Sequence, residues 1–303
     1  MKNFLISSVA AILGFFLGRW VGHTWMAGIP VALFVFVLCY FVLARRSFNK
    51  MTKLSEQAMD SMQKAQAQQD PMQQLKMIDK TIAIFKDGLI LGKEQFLIRS
   101  TIHSQIATLH YQAAALYIQL RLKESLQGSK IKATKYKSKA SERYAEAKIH
   151  FQEFYRYPWQ VKLTRNWHPV AMMAAMDFRQ GKNDSALKHL ASVKGPGSGE
   201  PLYYGIYAWI QHKSEQSDKA LLTLSDGVEK HASAQPLKDM LSAIQNKNEI
   251  DVLGFGMNWF AFFPEQLDQK TIMRMQSQMM QNNPDHSQNL NRAQRRALKK
   301  QKR

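Results

Sequence analysis

The sequence contains a single cysteine, Cys39, among 303 residues, which excludes an intramolecular disulfide and any metal site built from several cysteines. Glycine and proline are also few, with 15 and 9 residues, so collagen-like and low-complexity chains are excluded. Acidic residues are scarce, with 23 Asp and Glu against 42 Lys and Arg. The formal charge of +19 indicates an anionic partner. Three kinds of partner fit: lipid head groups, nucleic acid or an acidic protein surface.

The sequence also lacks the short motifs that carry common enzyme chemistry. It has no G-x-S-x-G, H-E-x-x-H, C-x-x-C or G-x-x-x-x-G-K-[ST]. Its one glycine-rich stretch, 195–199, has no following lysine and falls where a helical repeat needs a turn. His103 and His110 lie near one helical face, but the sequence suggests no third ligand for a metal. We therefore predict no enzyme activity, no cofactor and no metal site.

Two long apolar runs stand at the start of the sequence. Residues 4–21 are apolar apart from Ser7, Ser8 and Arg19, and residues 27–44 carry no charge. Each run has 18 residues, about the lower limit for a helix that crosses a hydrocarbon core of roughly 30 Å. A cleaved secretory signal is the alternative for the first run. The second run follows so closely that a retained transmembrane hairpin is favoured.

Basic residues that flank the runs predict the orientation of the hairpin. The connection between the runs has only Arg19, and Lys2 precedes the first run. Four basic residues follow the second run: Arg45, Arg46, Lys50 and Lys53. Since the more basic flank stays on the cytoplasmic side, we predict that both termini and the region after the hairpin are cytoplasmic.

Three glycines recur at every fourth residue of the first run, at positions 14, 18 and 22. This spacing lets two helix backbones approach closely. The pattern favours packing of the hairpin's own two helices. The alternative is a face through which two copies of the chain form a homo-oligomer.

After the hairpin the helical period dominates the sequence. From Met51 onward there is little two-residue alternation and no Val- and Ile-rich run bounded by turns, so no sheet is predicted. Residues 45–69, rich in Gln, Ala, Lys and Met from Met51 on, are predicted to continue the second run as a helical stalk. We therefore predict an all-α fold.

An internal repeat with a period of 34 residues is the strongest signal in this region. The segment 183–190 (NDSALKHL) aligns with 217–224 (SDKALLTL). Two antiparallel helices pack closely only where small side chains lie at the crossing, and the larger neighbours then interlock with the next repeat. Four small residues fit this role and are predicted to pack the repeats: Ala174, Ala186, Ala208 and Ala220.

With this period and these small residues, the sequence resembles the tetratricopeptide-repeat (TPR-like) superfamily over residues 167–235. Asp177 and Gln211 depart from the family pattern, which usually has an aromatic residue there. A membrane hairpin before such repeats is similar to the plan of bacterial inner-membrane-anchored repeat proteins. The resemblance implies an α-solenoid of helix pairs after the hairpin. The predicted domains are a transmembrane hairpin at 1–44, a helical stalk at 45–69, irregular helical pairs at 70–166, TPR-like repeats with a capping segment at 167–264, and an amphipathic segment with a basic tail at 265–303.

Aromatic residues supply the candidate binding surface. In the superfamily that the sequence resembles, the first helix of each repeat lines a concave surface that holds partner peptides. This implies Tyr203, Tyr207 and Trp209 as partner-binding residues, and the alternative is that they wedge the helices together. The aromatic cluster at 255–263 is predicted to cap the last repeat, with a membrane-dipping or partner-docking segment as the alternative.

The C-terminal tail is basic and carries no acidic residue after Asp285. Anionic lipid is the nearer target for a tail on a membrane-anchored chain, and RNA is less favoured because the tail has no aromatic residue for base stacking. A solvated tail is the third alternative. The residues predicted to contact an anionic surface are Arg292, Arg295, Arg296, Lys299 and Lys300.

Together these patterns predict a membrane-anchored helical-repeat scaffold that binds a protein partner on the cytoplasmic side. The alternative function is a membrane-tethered RNA- or ribosome-associated factor that uses its basic surface and tail. Salt separates the two, because phosphate contacts lose affinity steeply as the salt concentration rises.

Overall fold

The computed structural model describes residues 2–68, 70–94, 96–156, 166–193 and 200–282, and within these ranges the chain forms helices and no strand. The predicted all-α class is therefore confirmed. The α-helices are α1 (Lys2–Gly22), α2 (Trp25–Gln66), α3 (Pro71–Gly88), α4 (Phe96–Leu126), α5 (Lys130–Tyr155), α6 (Trp167–Arg179), α7 (Asn183–Ser192), α8 (Pro201–Lys213), α9 (Ser217–Lys230), α10 (Gln235–Gln245), α11 (Met257–Phe260) and α12 (Gln269–Asn282). Short 3₁₀ helices cover Leu89–Lys93, Leu253–Phe255 and Pro264–Gln266.

The chain divides into two compact units. The first comprises Met1–Tyr117 and Lys137–Pro169, and the second comprises Ile118–Tyr136 and Val170–Arg303. The first unit therefore holds α1–α3 and the greater part of α4 and α5. The second holds the adjoining ends of α4 and α5, nearly all of α6, and α7–α12.

Helices α1 and α2 form a closely packed antiparallel hairpin in the first unit. A Cβ atom on Gly18 would lie 2.9 Å from the carbonyl oxygen of Ala27, and one on Gly28 would lie 2.7 Å from that of Phe15. Larger residues would force the two backbones apart. The glycine row of α1 is thus used inside the hairpin, as the favoured interpretation of its spacing predicts.

The outward surface of this hairpin is apolar. Both helices are long and apolar enough to cross a membrane. Large side chains such as Leu17 and Phe34 are more than half exposed. At the connection, the guanidinium of Arg19 lies 3.6 Å from the ring centroid of Trp25, and the Thr24 side chain accepts a hydrogen bond from the amide of Ala27.

A polar network closes the open end of the hairpin. The Asn3 side-chain amide donates to the Ser47 hydroxyl at 2.9 Å, and that hydroxyl donates to the Glu94 carboxylate at 2.6 Å. Lys50 donates to the other Glu94 oxygen at 2.8 Å. The hydrogen bonds from Lys50 and then Ser47 hold the pKa of Glu94 below its usual value of 4.5. The network ties both apolar helices to the start of α4.

The segment predicted as a stalk belongs to α2 and packs on α3. Ala58 and Ala65 are buried on its inner face, and Thr81 of α3 donates a hydrogen bond to Ser61 at 2.9 Å. Helix α3 begins at Pro71, and the Asp70 carboxylate caps it. One face of this helix is apolar and buried: Leu75, Ile78, Ile82 and Phe85.

In the second unit, helices recur at the period of the sequence repeat. Helices α6, α8 and α10 begin at Trp167, Pro201 and Gln235, which are 34 residues apart. Helices α7 and α9 begin at Asn183 and Ser217, again 34 apart. Helix α8 packs against α7, α9 and α10. The predicted packing residues are completely buried: Ala174, Ala186, Ala208 and Ala220.

The turns that follow α6 and α8 share one backbone conformation. Gly181 and Glu215, 34 residues apart, both adopt left-handed values of φ, 73° and 62°. In each case the amide of the next residue donates to the carbonyl five residues earlier, at 2.9 Å. This hydrogen bond satisfies a carbonyl at the end of the helix. The repeat therefore extends to the turns, although glycine occupies only one of them.

The aromatic segment after α10 packs on α8. The Trp209 ring centroid lies 4.8 Å from that of Phe263 and 5.7 Å from that of Trp259. Gly205 makes room for it, because a Cβ atom there would lie 2.6 Å from the Phe255 ring. Trp259 and Phe263 are completely buried. These rings fill the interior of the second unit, and this packing occupies the surfaces that a membrane-dipping segment would need.

Candidate functional site

The three aromatic residues predicted to bind a partner lie in the interior of the second unit. Tyr203 is completely buried and donates its hydroxyl to the carbonyl of Leu190 at 2.8 Å. Tyr207 and Trp209 are also buried. In this structure the three side chains pack the helices together, as the alternative interpretation holds. A partner would reach them only if that packing opened.

Two other predicted segments lie outside the described residues. One is the glycine-rich stretch 195–199. The other is the basic tail with its anionic-surface candidates, which are Arg292, Arg295, Arg296, Lys299 and Lys300.

An apolar groove of about 670 Å³ lies within the second unit, at the end of α4. Helix α4 contributes residues at positions 119, 122, 123 and 126, which share one helical face. The other wall comes from α11, α12 and Leu267, which lies two residues before α12. Six apolar side chains line the groove: Leu122, Leu126, Met257, Leu267, Ile272 and Met275. Leu126 and Met257 are each more than half exposed, so the apolar surface is open.

One basic side chain, Lys123, lines the α4 end of this groove. Lys130 and Lys132 follow within a few residues of Gln127, another lining residue. All three lysines are exposed. Glu124 pairs with Lys132 at 3.6 Å. The groove therefore combines a mostly apolar lining with one lysine, and further lysines lie close by in the sequence, which suits an amphipathic segment of negative charge.

Three histidines meet in the first unit, between α4 and α5. The Nδ1 atoms of His103 and His150 lie 2.9 Å apart, and the rings of His110 and His150 are stacked with centroids 5.9 Å apart. All three are buried. His103 and His110 come from two turns of α4, and His150 comes from the facing side of α5. The sequence suggested the first two as neighbours and gave no signal for the third.

Burial keeps these imidazoles neutral. It lowers the pKa of His110 to about 3, helped by the positive charges of Arg143 and Lys86. It lowers the pKa of His103 to about 4. The pKa of His150 is lowered by burial and by the charge of Lys86. At neutral pH all three rings therefore have a lone pair available.

Charged groups flank the cluster on the side of His110. Arg143 lies one helical turn before Glu146, and its Nη1 donates to His110 Nδ1 at 3.3 Å. The same guanidinium pairs with Asp79 of α3 at 2.5 Å. Arginine cannot accept a hydrogen bond, so the neutral His110 ring carries its proton on Nε2. This buried Nε2 atom has no hydrogen-bond partner within the part of the chain that the structure describes.

A second polar cluster joins α6 and α7. The Ser185 hydroxyl donates to Asp177 Oδ2 at 2.6 Å, and His189 Nε2 lies 3.2 Å from the same oxygen and 3.4 Å from the hydroxyl. A nucleophile–histidine–acid relay needs the serine and the acid on opposite nitrogens of the histidine. Here one nitrogen faces both groups. The cluster explains the polar residue at position 177, because Asp177 of α6 contacts Ser185 and His189 of α7 and so joins the two helices.

Comparisons with models of known protein families, with curated proteins and with solved structures find no match for this chain. The likeness to TPR-like proteins therefore depends on the period and the small residues of the sequence itself.

Proposed function

We propose that the protein is a membrane-anchored helical-repeat scaffold that binds a protein partner through the apolar groove of its second unit. The observation that carries the proposal is this open groove in a chain that also has an apolar hairpin. Apolar side chains such as Leu122, Leu126 and Ile272 line the groove, and Lys123 lies among them. The hairpin retains the protein at a membrane, and α11, which forms part of one groove wall, packs on helix α8 of the repeats.

Anchoring is supported by the exposed apolar surface of α1 and α2. An exposed surface of this extent is stable in lipid and costly in water. In the proposed topology Arg45 and Arg46 lie on the cytoplasmic side of the inner membrane of a bacterium, with both termini. Reporter fusions after Lys53 and at the C-terminus should both report the cytoplasm. A periplasmic signal from either fusion would overturn the topology.

A TPR-like solenoid is supported by the 34-residue recurrence of α6 to α10 and by their buried alanines. Each helix pair in such an array packs on its neighbours, so the array is stiff. A stiff array presents an edge groove without a large entropic cost on binding, which favours a binding function.

The partner segment that fits the groove is an acidic amphipathic helix. Its apolar face would cover Leu122, Leu126 and Met275, and its acidic residues would lie beside Lys123. Helix-in-groove recognition of this kind uses anchors spaced by three or four residues.

Site-specific photo-crosslinking in living cells tests this proposal. A photoreactive residue at Leu126 should give one discrete adduct, while the same residue at Leu222, which is exposed on α9, should give none. Adding Leu122→Asp should abolish the adduct at position 126. Equal adducts at both positions, or an adduct that survives Leu122→Asp, would contradict groove binding.

The RNA- or ribosome-associated alternative is distinguished by salt and nuclease. A groove complex should survive moderate salt because apolar contacts are little screened, whereas phosphate contacts are lost as counterions return. If the adduct at Leu126 is RNA-dependent, the alternative function replaces the scaffold.

Anionic lipid remains the proposed target of the tail, and a homo-oligomer through the hairpin remains a further proposal. Deletion of residues 292–303 should reduce flotation of the purified protein with anionic vesicles at low salt. Equal flotation with and without the tail would exclude this lipid contact.

A further inference from the structure

We propose that His110, Glu146 and His150 bind a divalent transition-metal ion of the zinc class. The ligand atoms of these three residues all lie within 4.8 Å of one another. This site is separate from the groove and does not depend on the scaffold function. It lies wholly within the first unit.

The ligand set follows from the register of two facing helices. Glu146 and His150 are four residues apart on α5, so their side chains share one face. His110 reaches the same point from α4. Two imidazoles and a carboxylate are a usual donor set for zinc, which leaves a fourth position for water or another ligand.

The distances require only a small contraction. Three atoms at the corners of a triangle with 4.8 Å sides lie about 2.8 Å from its centre, and zinc bonds to nitrogen and oxygen are about 2.0–2.2 Å long. Each ligand atom therefore moves by less than about 1 Å, which is within the reach of a side-chain rotation.

Two features favour a cation at this place. The Nδ1 atom of His150 is engaged by His103, so its Nε2 atom is the nitrogen available to a metal. His110 is buried, and among the described residues its Nε2 atom meets no hydrogen-bond partner. A metal ion would give this buried polar atom the partner that it lacks.

Arg143 is the opposing element. Its guanidinium holds His110 Nδ1, and metal binding at Nε2 needs the ring proton on Nδ1. Arg143 must therefore lose its contact with the His110 ring when the metal binds. Its ion pair with Asp79 can persist without that contact. Lys86 adds a second positive charge nearby, whereas Glu146 and Glu153 add negative charge. Arg143 thus competes with the metal, and its removal should tighten binding.

The test uses the full chain, purified in detergent, stripped with a chelator and titrated with Zn²⁺ against a chromophoric competitor. We expect one tightly bound ion per chain. His110→Ala and His150→Ala should each weaken binding by at least tenfold, and Glu146→Gln should weaken it less. His189→Ala in the second unit is the matched control and should leave the affinity unchanged.

Arg143→Gln separates a metal site from a packing cluster. It should raise Zn²⁺ affinity several-fold, because the competing guanidinium is gone. Loss of a merely structural contact would not tighten metal binding. Circular dichroism of each metal-free variant reports whether the helices remain folded, and Co²⁺ absorption of the wild-type protein provides an independent readout of the coordination geometry.

Absence of stoichiometric Zn²⁺ binding to the wild-type protein would overturn the proposal. So would binding that is equally strong in His110→Ala and His150→Ala. A lower affinity in Arg143→Gln would show that the arginine supports the cluster instead of competing with a metal, and it would also overturn the proposal.

Discussion

The apolar hairpin and the repeat region use apolar side chains in opposite ways. In the hairpin, Leu17 and Phe34 point outward and small glycines face the partner helix. In the repeats, Tyr203 and Trp259 point inward, and exposed positions are mostly polar or charged. Both regions are helical, so the secondary structure does not set this difference. The difference is the one expected if the hairpin lies in lipid, as we propose, and the repeats lie in water.

Small residues have the same task in both regions. Gly18 and Gly28 let α1 and α2 approach, and Ala186 and Ala220 are completely buried, as small residues at a helix crossing are expected to be. In water the burial of large apolar groups drives the association, whereas in lipid close packing itself must drive it. Glycine permits the closest approach of two helices, and it is the small residue found at these close contacts in the hairpin, whereas alanine is found in the repeats.

Substitution of one residue type in the two regions should give the largest contrast. Trp259 is completely buried and donates to Gln266 at 2.8 Å, so Trp259→Ala should lower the free energy of unfolding by about 3–5 kcal/mol. Trp20 is 75% exposed, and Trp20→Ala should change it by less than about 0.5 kcal/mol. Denaturant titration of the full chain in detergent, followed by circular dichroism, measures both. Equal losses would refute the contrast.

A charged residue is usually tolerated at an exposed position, but on the outer surface of the hairpin it should be unfavourable. Phe34 is exposed near the middle of the second apolar run, and Phe34→Lys should disfavour membrane insertion by roughly 2.5–3.5 kcal/mol. The same change at exposed Leu222 of α9 should leave the protein in the membrane fraction. Carbonate extraction of membranes measures the integrated fraction. Normal integration of Phe34→Lys would show that this surface does not face lipid.

Overpacking should affect the repeat crossings and spare their neighbours. Ala220 is completely buried, and Ala220→Leu should cost about 1–3 kcal/mol of stability because the helices must separate. Lys219 precedes it on the exposed side of α9, and Lys219→Leu is the matched control. Thermal unfolding of the two variants gives the comparison. An unchanged melting temperature for Ala220→Leu would contradict the assigned helix crossing.

The polar network at the base of the hairpin should give the smallest effect. Hydrogen bonds from Lys50 and Ser47 lower the pKa of Glu94, so this carboxylate stabilises the fold above its usual pKa of 4.5 and loses that contribution as the pH falls through its lower folded value. Glu94→Gln should cost up to about 1 kcal/mol at pH 7. The difference in the free energy of unfolding between wild type and variant should disappear at acidic pH. A difference that stays constant down to pH 3 would exclude this role.

The histidine cluster could be predicted only in part from the sequence. His103 and His110 were recognisable as neighbours because one helix carries both. His150 follows His103 by 47 residues, and no spacing rule connects them. Only the antiparallel packing of α4 on α5 brings the rings together. The same packing places Glu146 beside His110. Because this proximity depends on the packing of two helices, the sequence alone suggested no metal site.

The orientation of the aromatic residues was also beyond the sequence. Tyr203, Tyr207 and Trp209 lie on one helix, but a helix that is apolar around most of its surface gives no sign of which side is open. Helix α8 is packed on several sides, by α7, α9, α10 and the aromatic segment after α10. The open apolar surface lies instead at the groove, whose walls are more than 120 residues apart in the sequence.

The sequence by itself determined the helical class, the two apolar helices, the 34-residue recurrence and the small residues that recur with it. These properties depend on neighbours within one or two helical turns, or on a period that the sequence repeats. Tertiary structure alone decided which faces are buried, where the groove opens and which titratable groups meet. Those outcomes depend on contacts between helices distant in the sequence, and their free energy comes from the packed arrangement, not from any single segment.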